Sequence, residues 1–174
     1  MTLLDALKAG PLLLLAATFQ VSLFSSFEVA EAHPEVALVL VVAIALLRGP
    51  LFGACAGFWT GLVLDTASFE TLGLTSLLLT IAGYWCGRFG EVTTRASAHP
   101  PLIAVALATL GVGFGSALVH FMLGSTVSAS QFFVGLLLPS LALNMLLAYP
   151  TYGLVRRLFP PLSRERRVEV NASV

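Results

Sequence analysis

LLRGPLFGACAGFWTGLVLDT, Leu46 to Thr66, is the stretch that decides how this chain is built. Arg48-Gly49-Pro50 forms a charged turn at its head. Behind the turn runs an apolar segment with Gly49, Gly53, Gly57 and Gly61 at every fourth position, closed by Asp65. At helical pitch that spacing puts the four glycines on one stripe. In a membrane, where small residues mark helix contacts, such a smooth groove lets another helix approach at close range. The stretch therefore reads as a membrane helix made to pack against a partner's helix. From Arg48 to Asp65 the rise is about 25 Å, close to a hydrocarbon thickness of roughly 30 Å. The two charges then lie at opposite interfaces.

The rest of the chain agrees with a membrane setting. It is 57% hydrophobic and 10% charged, with mean hydropathy +0.94, where a soluble domain is nearer a quarter charged. At 174 residues it makes one compact all-α bundle. Six spans are expected: Pro11 to Phe27, Val36 to Leu47, Leu51 to Leu64, Gly73 to Gly87, Leu102 to Gly124 and Phe132 to Val155. Lys8 and the small residues Ala30-Glu31-Ala32 around the first span also fit a removable leader; the span is taken as a membrane helix. Spans two and three are short, and fusing them into one helix or a re-entrant hairpin is the competing reading.

Charge decides between the two. With six spans and both ends cytoplasmic, one side receives Lys8, Arg48, Arg88, Arg95, Arg156, Arg157, Arg164, Arg166 and Arg167, every basic residue in the chain. The other receives Glu28, Glu31, Glu35, Asp65 and Glu70 and no lysine or arginine. That satisfies the positive-inside rule, and five spans would break it. Residues 1–157 are thus the transmembrane domain and 158–174 a basic cytoplasmic tail.

No nucleophile elbow, P-loop, dinucleotide fingerprint or zinc-protease motif occurs. His33, His99 and His120 are scattered, and Cys55 and Cys86 read as buried small hydrophobes. No enzyme, cofactor, metal or nucleic-acid site is expected. The polar residues within or beside the spans are Gln20, Arg48, Asp65 and Asn144. Gln20 and Asn144 read as glue between helices, worth about 0.6 kcal/mol per hydrogen bond on average. Asp65 in an outer vestibule is the best candidate for a functional contact, set against a helix-ending acid in water. Further small-residue stripes, Gly83/Gly87 and Gly111/Gly115, can be satisfied within the bundle or receive a partner, and Pro139 and Pro150 are expected to kink the sixth span.

These residues resemble a family, the rod shape-determining MreD proteins of bacteria. The likeness runs from Gln20 and Pro34 through Ala45-Leu46-Leu47-Arg48-Gly49-Pro50, Gly53, Gly57-Phe58, Gly61-Leu62 and Asp65. It continues with Leu72-Gly73-Leu74, Gly83-Tyr84, Gly87, Asn144 and Tyr152 before Arg156-Arg157. The resemblance implies a non-enzymatic inner-membrane scaffold of the cell-elongation complex. Such a scaffold binds MreC, a single-span protein. Through MreC it connects MreB filaments to peptidoglycan synthesis by RodA and its penicillin-binding partner. The family is also similar in fold to the S-components of energy-coupling-factor vitamin transporters, which supplies the alternative function. Against that alternative, the first span carries Ala16-Ala17 and then Gln20, without the alanine-x-x-x-alanine face that an S-component presents to its coupling subunit.

Overall fold

A computed structural model describes residues 3–24, 35–68, 72–93, 100–122, 124 and 137–159. They form six helices: α1 (Leu3–Phe24), α2 (Val36–Arg48), α3 (Pro50–Ser68), α4 (Leu74–Val92), α5 (Pro100–Met122) and α6 (Leu138–Leu158). No strand occurs among the described residues. The loop acids Glu28, Glu31 and Glu70, the histidines His33 and His99, and the tail from residue 160 lie outside them. So do Arg95 and both outer-loop ends of the expected first and sixth spans.

Helix α2 is the axis of the molecule. Every residue from Ala37 to Leu47 is buried, and α2 touches all five other helices. A helix apolar on every side has no face for water, so it belongs in the middle of a bundle. Its run VALVLVVAIALL supplies this property directly. At 13 residues it is only about 20 Å long, well short of its neighbours.

The turn Arg48-Gly49-Pro50 converts α2 into α3 without a loop. Gly49 takes φ +97°, a conformation that a side chain strains, and its N–H donates to the Ala45 carbonyl at 2.8 Å. Pro50 then opens α3, where its missing N–H costs nothing. Pro139 likewise sits at the start of α6, and Pro150 lies inside it. The C-terminal ends of α2, α4 and α6 gather together: the Arg48 guanidinium lies 5.4 Å over the Phe159 ring, and Gly49 faces the Glu91 side chain. Arg88, Arg156 and Arg157 belong to the same helix ends.

Helices α3 and α4 are the most intimate pair. A Cβ on Gly57 would lie 2.6 Å from the Leu79 carbonyl carbon, and one on Gly61 would lie 2.8 Å from that of Thr75. Gly53 and Gly83 face each other's backbone, and Gly87 faces Gly49 and Pro50. The stripe expected to receive a partner's helix is therefore filled by α4 of the same chain. The Ser76 hydroxyl crosses the contact and donates to the Phe58 carbonyl at 3.0 Å.

Among the described residues one segment, Pro101–Val119 of α5, is both long and apolar enough to cross a membrane by hydropathy. Ala9–Ser22 and Val36–Arg48 are shorter apolar helices. The other helices are diluted by the glycines, hydroxyls, asparagine and aspartate that they turn inward. Cys86 is buried as expected, whereas Cys55 is exposed on α3.

Candidate functional site

The first amides of any helix lack an intrahelical acceptor. In α2 this need is acute, because the helix starts inside the bundle, where an unmet buried polar group costs about 1–3 kcal/mol. Two distant side chains meet it. Gln20 from α1 accepts from the Ala37 N–H through Oε1 at 2.9 Å. Asn144 from α6 accepts from the Glu35 N–H through Oδ1 at 2.9 Å. The Asn144 amide then donates to the Thr109 hydroxyl of α5 at 3.1 Å. Asn144 is fully buried, and Gln20 and Thr109 nearly so. Four elements are thus tied at one end of α2, and the polar side chains serve the backbone more than one another.

The same logic governs Asp65. It is 1% exposed, and its carboxylate accepts from the amides of Gly73 (2.9 Å), Thr75 (3.1 Å) and Ser76 (3.1 Å). An acid at the end of α3 therefore caps the start of α4, where the helix dipole also favours negative charge. Asp65 does not lie open to solvent; the fold itself uses both of its oxygens.

Beside these two caps lies a cavity of about 400 Å³. Its polar wall is Gln20, Glu35, Ser68 and Thr75, and its apolar wall includes Val21, Leu38, Leu64, Leu78 and Val112. Five helices or their ends contribute. Glu35 is half-buried as a residue, but its Oε2 is sealed from solvent and has no hydrogen-bond partner among the described residues. Among the described residues no cluster of three or more His, Cys, Asp and Glu side chains could hold a metal ion. Two other cavities, about 320 Å³ between α4 and α5 and about 350 Å³ between α1 and α3, are walled almost wholly by apolar side chains.

The structure thus brings Gln20 and Asn144 together around α2 and places Asp65 at the head of α4. Arg48 stands at the opposite end of α2, against Phe159. Sequence reading counted Glu35 only among the loop acids and passed over Thr109, Ser68 and Thr75. A signal for Glu35 was present: an acid directly preceding an all-apolar run enters the interior with that run.

The family model for rod shape-determining protein MreD matches residues 5–160, nearly the whole chain. Neither the curated proteins nor the solved structures gave a match.

Proposed function

Because the chain belongs to the rod shape-determining MreD family of bacterial membrane proteins, we propose that it is a multi-pass inner-membrane scaffold that binds MreC. Through MreC it helps couple MreB filaments to peptidoglycan synthesis by RodA and its penicillin-binding partner. The family match over residues 5–160 carries this reading.

The proposed topology has six spans with both ends cytoplasmic and residues 158–174 as a cytoplasmic tail. It draws support from the gathering of Arg48, Arg88, Arg156 and Arg157 at the shared ends of α2, α4 and α6, as the positive-inside rule requires. Exposed Leu15, Phe19, Trp59, Trp85 and Leu107 suit a surface bathed in lipid or met by a partner's membrane helix. Since α4 occupies the glycine stripe, Gly49, Gly53, Gly57 and Gly61 would serve MreC binding by holding the α3–α4 pair rigid.

The test is a pull-down of tagged protein from detergent-solubilised native membranes, with mass spectrometry of what accompanies it. MreC, with RodA, is the expected companion. An ATPase with a coupling subunit would overturn the scaffold reading in favour of a vitamin carrier.

A further inference from the structure

We infer that the cavity at the N-terminal end of α2 binds a primary ammonium group carried on a small apolar body. This inference is independent of the scaffold function. At about 400 Å³ the cavity falls within the usual range of small-molecule sites, roughly 300–1,000 Å³. Its lining has two sides. Glu35, Ser68, Thr75 and Gln20 stand together, and the remainder is aliphatic.

Among the described residues the polar side has no cation, and its groups are one carboxyl, two hydroxyl residues and the Gln20 amide. Gln20 Oε1 is already taken by the Ala37 amide, and the Thr75 amide by Asp65. Ser68 and Thr75 line the space, and among the described residues no lysine, arginine or histidine does. The Glu35 carboxyl stands beside them: burial raises its pKa to about 7 while a hydrogen bond with Asn144 opposes the rise, and its Oε2 has no hydrogen-bond partner among the described residues.

The starts of α2 and α4 converge here, and each contributes about +0.5 of a charge from its dipole. Asp65 answers the dipole of α4 through three amide bonds. An ionised Glu35 would more than answer that of α2. A donor with positive charge would favour the ionised carboxylate of Glu35, whose pKa burial raises to about 7, whereas an anion would oppose it. Among the described residues no cluster of ligands could hold a metal ion, and the aliphatic wall calls for carbon. An amine with an apolar body satisfies both sides. Two sources carry that chemistry: a soluble amine, or the headgroup of phosphatidylethanolamine entering from the bilayer.

The test compares matched probes on the purified full chain. Thermal unfolding is followed with phenethylamine and with phenethyl alcohol, which differ only in the ammonium. The expected result is a saturable rise in Tm with the amine alone. Glu35→Gln, which keeps the backbone amide and the side-chain shape, abolishes it. Val112→Phe fills the cavity while leaving Glu35 in place, and it diminishes the shift. Phosphatidylglycerol nanodiscs with and without phosphatidylethanolamine then separate the sources. A lipid occupant stabilises the wild-type protein but not Glu35→Gln in the mixed discs, and it blocks the response to phenethylamine there. A soluble occupant leaves the amine response equal in both discs. Equal shifts with amine and alcohol, no shift with either, or an amine shift that survives both substitutions would overturn the site. So would a Glu35→Gln protein that is simply more stable in a chain that ignores amines, since Glu35 would then hold only a proton.

Discussion

Three side chains at the start of two helices do work that backbone alone cannot. Asp65 holds three amides, and hydrogen bonds to a charged group contribute about 1.5–3 kcal/mol each. Their sum overstates the loss, because water and local rearrangement recover part of it. Asp65→Ala should still cost at least about 3 kcal/mol, seen as loss of monodisperse protein in detergent. Asp65→Asn retains one acceptor oxygen and should fall between. A normal melting temperature for Asp65→Ala would show that the cap is dispensable. Asn144→Ala removes an acceptor from the Glu35 amide and a donor to Thr109. It also opens space in a buried interior, so about 2–4 kcal/mol is expected. Because Asn144 and Gln20 cap the same helix, their substitutions should couple, and a double-mutant cycle with Gln20→Leu measures that coupling.

At the scale of elements, the α3–α4 pair is set by what glycine lacks. Any side chain at Gly57 meets the backbone of Leu79 and Thr80, and backbone cannot rotate away as a side chain can. Gly57→Leu should therefore force the helices apart and lower the folded yield before any partner is involved, by about 3 kcal/mol or more. Gly111 is the control: nothing lies within 4 Å of where its Cβ would be. Gly111→Leu should leave thermal stability within about 0.5 kcal/mol of the parent. Both are read by size-exclusion profile and melting temperature in the same detergent. Equal behaviour of the two would mean that the close approach does not govern the pairing.

The whole molecule rests on a short helix wrapped by five others. If it crosses the membrane with six spans, the α3–α4 turn and the far end of α4 lie on opposite sides. Leu72 and Arg88 are exposed at those two places. Single cysteines there, with Cys55 and Cys86 replaced, should label from opposite faces of intact vesicles. Labelling from one face would mean that α4 does not cross, and would overturn the six-span topology.

Composition, the glycine period, the Arg-Gly-Pro turn and the all-apolar run before it were legible along the chain because each is a local property. They determined an all-helical molecule, the α2–α3 break, the close packing on the glycine stripe and the family likeness. Which helix fills that stripe was not legible, because spacing describes one surface and says nothing about who faces it. Nor were the duties of Gln20, Asn144 and Asp65. A polar side chain in an apolar span announces that it needs a partner, but that partner is 17 residues away for Gln20 and 109 for Asn144. Tertiary structure decided those pairings because α2 is too short to bring its own amides to water. The same shortness left a space beside Glu35, which no local pattern in the chain describes.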